Sequence, residues 1–155
     1  MVIERDVLIV GGGIAGQALA IALARHDIGC EIVEIKENWD AVGAGTALLG
    51  PPMRAFSEIG IDADVRRAGW SHEGARFLYR DARGEIVVET NVEGSSGDLP
   101  AGVSIMRSKL HEILAAHVSE LGVAVKKGVT VEGLANGDEY VDVKFTDGTQ
   151  KNTVW

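Results

Sequence analysis

Cysteine is almost absent. Among 155 residues only Cys30 is present, so no internal disulfide can form, and its place in an apolar run fits a reducing, cytoplasmic setting. Basic charge is also scarce: 15 Lys and Arg stand against 23 Asp and Glu, a formal charge of −8, which would repel a phosphate backbone and an anionic lipid surface alike and argues against nucleic acid and membrane as partners. The chain has room for about one domain and is short for a two-domain enzyme. Its 46% hydrophobic, 25% charged and 5% aromatic composition excludes a disordered, collagen-like or disulfide-scaffold class. His26, His72 and His111 have no partners at metal-ligand spacing, and no nucleophile, triad or paired carboxylate is evident. The one long uncharged run, Val7 to Ala24, has 18 residues and meets the lower length for a membrane span. Four glycines and Gln17 interrupt it, and Glu4, Arg5 and Asp6 precede it, so neither a signal peptide nor a spanning helix fits.

What is abundant is glycine, 20 residues in all, and placement matters more than number. Asp6 to Val10 is a short apolar block of strand type, and Ile14 to Arg25 is Ala- and Leu-rich, which suits a buried strand feeding a helix. Ala15, Leu19, Ala22 and Leu23 are expected to form its buried face. Cys30 to Ile35 supplies a second strand after Asp27 and Gly29 stop the helix. Gly11, Gly13 and Gly16 form G-x-G-x-x-G at the strand-to-helix junction, and Glu34 follows at the end of the second strand, which is the dinucleotide-binding order. Gly11 permits the tight turn, Gly13 lets the backbone approach a pyrophosphate, and Gly16 allows close packing of helix on strand. The helix N-terminus offers unpaired N–H groups to an anion. Glu34 can accept hydrogen bonds from ribose hydroxyls, and its charge disfavours a 2′-phosphate there. This fingerprint alone does not distinguish FAD from NAD.

Further along, the order GGGIAG (11 to 16), VE (33 and 34), VGAG (42 to 45), MRAFSEIGI (53 to 61) and IMRSKLHEIL (105 to 114) resembles the FAD-binding part of the single-component aromatic-hydroxylase flavoprotein monooxygenases, of the p-hydroxybenzoate hydroxylase and salicylate hydroxylase type, over nearly the whole chain. The resemblance implies an α/β fold: a Rossmann-like FAD-binding parallel sheet with an antiparallel β meander, incomplete at the C-terminus, with residues 1–155 one partial FAD-binding domain. It also implies that Gly11, Gly13, Ala15 and Gly16 hold the pyrophosphate, Glu34 and Ile35 border the ribose, Gly45 lines the flavin side, Arg107 contacts the cofactor and Val129 lies against the adenine. The implied cofactor is FAD, with NADH or NADPH as a transient co-substrate, and the implied reaction transfers one oxygen atom from O2 to a small aromatic or related molecule. Another FAD oxidoreductase, of amine oxidase or prenyl reductase type, and a catalytically silent nucleotide-binding module are the alternatives. The chain departs from the family at Gly50-Pro51-Pro52, where Pro-Asn-Ala is usual, and at Met106, where a histidine is common.

Arg107 also reads physically as an anion contact, since it precedes Ser108, a candidate N-cap, and a helix with the stripe Leu110, Ile113, Leu114, His117 and Leu121. On that stripe His117 reads as a packed histidine. Val123 to Val125 is expected as a third parallel strand, followed by Val129 to Val131 and the alternating stretch Tyr140 to Thr146, closed by the Asp147-Gly148 turn. A hairpin is expected between Ala75 and Thr90, and the loop from Asn91 to Gly102 reads as a lid or an excursion. Family members continue past the Asp-Gly turn into a further parallel strand and a substrate sheet, so the first strand is expected to have a free edge and the chain to self-associate through it, to aggregate, or to be a piece of a longer protein.

Overall fold

A computed structural model describes residues 7–39, 43–72, 76–91, 102–138 and 140–154. In chain order the elements are β1 (Val7–Val10), α1 (Ile14–Arg25), β2 (Cys30–Glu34), β3 (Gly45–Leu49), α2 (Gly50–Glu58), α3 (Asp62–Ala68), β4 (Trp70–Ser71), β5 (Arg76–Arg80), β6 (Ile86–Asn91), β7 (Gly102–Met106), α4 (Arg107–Glu120), β8 (Ala124–Lys127), β9 (Val131–Asn136), β10 (Tyr140–Phe145) and β11 (Gln150–Val154). The expected lid between Asn91 and Gly102 lies outside the described residues, apart from its two ends. The chain divides into two compact units, one comprising Met1–Ala41 with His111–Trp155 and the other Val42–Leu110. No described helix is long and apolar enough to cross a membrane.

In the first unit, β1, β2 and β8 form a parallel sheet in the order β1-β2-β8. Val10 pairs with Val33 at one end and Val7 with Cys30 at the other. β2 is the central strand and four of its five residues are buried, as a parallel strand covered on both faces requires. β1 and β8 are its two outer strands. The meander follows, with β10 antiparallel to both β9 and β11. Its turn closes at Asp147-Gly148, where Gly148 has φ +81° and the Asp147 carboxylate accepts bonds from the Thr149 N–H and hydroxyl and from Lys126. Lys126 and Thr149 hold the Asp147 carboxyl well below its ordinary range. Val33, Val129, Val143 and Phe145 make a continuous apolar cluster under the meander, each worth about 1.5–3 kcal/mol of burial for the larger side chains.

Two expected helix faces are corrected. In α1 the buried residues are Gln17, Ala20 and Ile21, whereas Ala15 is exposed and Leu19 is 47% exposed. The helix is apolar on all sides, so periodicity does not choose a face. Gly16 chooses it: a Cβ there would collide with the carbonyl oxygen of Gly11 and touch Ile9, so the side carrying residues 16, 17, 20 and 21 turns inward. In α4 the helix begins at Arg107, so Ser108 is within the first turn and is not the N-cap. The buried stripe is Leu110, His111, Ile113, Leu114 and Val118. His117 is half-buried and lies 3.6 Å from Glu120, and Leu121 is 39% exposed.

In the second unit, β7 pairs antiparallel with both β3 and β4, and α2 and α3 cover this sheet through Met53, Phe56 and Val65. Gly50, Pro51 and Pro52 form the first turn of α2 after the N-cap Leu49, where a missing N–H has no intrahelical partner to lose. β5 and β6 form a separate two-stranded hairpin in which every strand residue is exposed.

Candidate functional site

The expected phosphate loop joins β1 to α1. Gly11 has φ +105°, a conformation that side chains other than glycine rarely adopt, and its N–H is donated to Val33 O at 2.8 Å. Gly13 is the N-cap of α1 and supplies no side-chain cap, so the first amides of the helix have no intrahelical acceptor. Among the described residues a Cβ at Gly11 or at Gly13 would meet nothing within 4 Å. The outer side of the bend is therefore open, and the inner side is closed by Gly16. Ala15 is exposed on the first helical turn.

Glu34 ends β2 facing this bend. Its two oxygens accept the Gly12 N–H at 2.8 Å and the Lys36 N–H at 2.9 Å, which leaves further lone pairs for hydroxyl donors. Burial pushes its carboxyl up, but the two backbone N–H groups and the charges of Lys36 and His111 outweigh it and hold the carboxyl below its ordinary value. Ile35 is 66% exposed beside it. Val129 donates its N–H to Glu34 O at 3.0 Å, and its side chain is buried in the meander cluster. Seven of the nine expected site residues thus belong to one unit, most of them around one bend.

Gly45 and Arg107 belong to the second unit. Gly43, with φ +142°, leaves just enough room for the Arg107 side chain, whose Cδ would lie 3.3 Å from a Cβ there. The Arg107 N–H is donated to Ala44 O at 3.4 Å, and Gly45 pairs with Met106. The Arg107 side chain is exposed. An open groove of about 510 Å³ beside them is lined by Gly45, Thr46, Gly69, Trp70, Ser104 and Met106, among others.

Four residues at the bend were not anticipated. The Gly12 carbonyl accepts from Trp39 Nε1 at 2.6 Å, Gln17 Nε2 at 2.8 Å and His111 Nε2 at 3.2 Å. Trp39 stands edge-on to His111, ring centres 5.3 Å apart, and covers Gly12 so closely that a Cβ there would run into its indole ring. Gln17 had a visible signal, being the single amide in an apolar run. His111 had none, because it is 99 residues from Gly12.

The open bend, the uncapped helix start and the acceptor carboxylate fit a dinucleotide, and comparison with known proteins agrees. Residues 4–154 match the family model described as FAD binding domain. The chain is 33% identical over 145 residues to the aurachin C monooxygenase/isomerase of Stigmatella aurantiaca, covering 93% of this chain and 37% of that protein. It is 27% identical over 131 residues to the 3-hydroxybenzoate 6-hydroxylase of Polaromonas naphthalenivorans, covering 84% of this chain and 30% of that protein. The crystal structure of p-nitrophenol 4-monooxygenase from Pseudomonas putida superposes with a TM-score of 0.87 at 21% identity, over all of this chain and 40% of that one. The chain spans roughly a third of the length of these relatives.

Proposed function

Because this chain belongs to the FAD binding domain family, we propose that it is the FAD-binding part of a flavin-dependent monooxygenase that uses NADH or NADPH to hydroxylate a small aromatic or related molecule. The observation that carries this reading is the similarity of nearly the whole chain to proteins named as monooxygenases and hydroxylases. Neither an amine-oxidase-type enzyme nor a silent module is favoured by these relatives.

FAD, when bound, supplies the redox chemistry and the activation of oxygen. The chain's own residues would hold it. Gly11 and Gly13 would present a side-chain-free wall, and Ala15 and Gly16 the N–H groups of the first helical turn, to the pyrophosphate, whose charge is favoured at a helix N-terminus. Glu34 would accept the adenosine ribose hydroxyls through the lone pairs its two backbone bonds leave free, with Ile35 and the backbone of Val129 bordering the adenosine. In the other unit Gly45 and the exposed Arg107 guanidinium would serve the flavin side. The outer edge of β1 offers a row of backbone groups for pairing with another strand, and self-association there is part of the proposal.

The test is direct. Purified protein should be yellow and release FAD on denaturation, and in the whole enzyme of which this chain is the FAD-binding part NADH or NADPH oxidation should depend on oxygen and rise with a phenolic compound. Colourless protein that fails to take up added FAD would overturn the binding role, and phenol-insensitive oxidation by the flavin-loaded whole enzyme would overturn the hydroxylase assignment. Sedimentation as a monomer at all concentrations would remove self-association.

A further inference from the structure

The backbone of Gly12 is held on both sides. Its N–H is donated to Glu34, and its carbonyl receives three donors from three elements: Gln17 on α1, Trp39 after β2 and His111 on α4. A carbonyl oxygen has two lone pairs, so the third donor shares one, which matches the longer His111 distance. Holding this arrangement has a cost. Gln17 is fully buried, and with its Nε2 committed to Gly12 its Oε1 is left without a partner among the described residues, a loss of the kind proteins avoid.

The consequence follows from peptide geometry. Gly12 C=O and Gly13 N–H belong to one planar peptide unit, which is trans here, so the two bonds point in opposite directions. Gly12 is buried and Gly13 exposed. We infer that His111 is a positioning residue for the dinucleotide loop: together with Trp39 and Gln17 it draws the Gly12 carbonyl inward, and thereby turns the Gly13 N–H outward, toward the open side where the pyrophosphate would lie. A peptide flipped by half a turn would instead aim a carbonyl oxygen at an anion. Because Gly12 O only accepts, the Nε2 of His111 is the donor in this contact. The inference rests on the FAD-binding reading and adds to it a residue 99 positions from Gly12 along the chain.

The test compares His111→Phe, which keeps a ring against Trp39 but has no donor, with His111→Gln, whose amide N–H reaches about as far as Nε2. FAD and, separately, ADP are titrated calorimetrically into each protein, thermal unfolding is recorded without ligand, and the Gly13 amide is followed in an 1H–15N spectrum. The expected result is that His111→Phe weakens both ligands by at least about fivefold, the loss of one hydrogen bond, with a shifted Gly13 amide, whereas His111→Gln stays within about twofold of the parent. Equal affinity for parent and His111→Phe overturns the inference while leaving the FAD reading intact, and so does an equal loss in both variants. A parent that binds neither FAD nor ADP overturns the reading and the inference together. Should His111→Phe not fold, Trp39→Phe removes the shortest of the three donors and carries the same expectation, with the same outcomes deciding.

Discussion

The bend between β1 and α1 and the hairpin of β5 and β6 are built on opposite terms. At the bend, the inward-facing groups are spoken for within their own unit: Gly11 N–H by Val33, Gly12 by Glu34, Trp39, Gln17 and His111, and Gly16 by the backbone beneath it. In the hairpin no strand residue is buried, although Phe77, Tyr79 and Val88 are large and apolar and share one face with Thr90. Local hydrogen bonds and the ion pair of Arg76 with Glu89, at 2.6 Å, hold it. An isolated two-stranded ribbon is only marginally stable in water, so the contrast separates a segment whose conformation is over-determined from one determined almost wholly by its own ladder.

The contrast is sharpened most by Gly16→Val. The new side chain meets the Gly11 backbone, and backbone cannot swing aside, so unfolding in urea should show a loss of about 3 kcal/mol or more. Gly12→Ala should cost less, about 1–2 kcal/mol, because the obstacle is the Trp39 ring, and the fluorescence of Trp39 should change with it. Glu34→Gln should weaken FAD binding about tenfold, consistent with loss of one charge-assisted hydrogen bond, read by flavin fluorescence quenching. The pH dependence of the same contact has a definite sign. The Glu34 carboxyl lies below its ordinary value when folded, so its contribution to stability is present above the unfolded carboxyl value and is lost as pH falls through the lowered folded value; in Glu34→Gln this part of the acid limb should disappear from pH-dependent unfolding. At the other end of the scale, Val88→Thr in the hairpin should change stability by less than about 0.5 kcal/mol. A change there as large as that at Gly12 would break the contrast, because it would mean the hairpin face is already covered.

Much of the first unit was legible. Strand, glycines, helix, second strand and acid occupy consecutive short segments, and each is recognised by composition and spacing alone. The hairpin and the Asp147-Gly148 turn were legible for the same reason. The buried face of α1 was less so: its Ala and Leu are distributed all round, and the informative residue was Gly16, whose need for close packing selects the opposite side to Leu19. The α4 stripe kept Leu110, Ile113 and Leu114 but took His111 and Val118 in place of His117 and Leu121, because those three positions are compatible with either histidine and sequence spacing does not say which one faces the core.

By itself the order of residues determined that the first strand ends in a bend stripped of side chains with a carboxylate waiting 23 positions after Gly11, since those requirements are met by neighbours along the chain. Only the tertiary structure decided what holds the bend from behind. A carbonyl shared by Gln17, Trp39 and His111 depends on three elements meeting at one atom, and hydrogen bonding between residues far apart leaves no period or motif in the sequence from which it could be read.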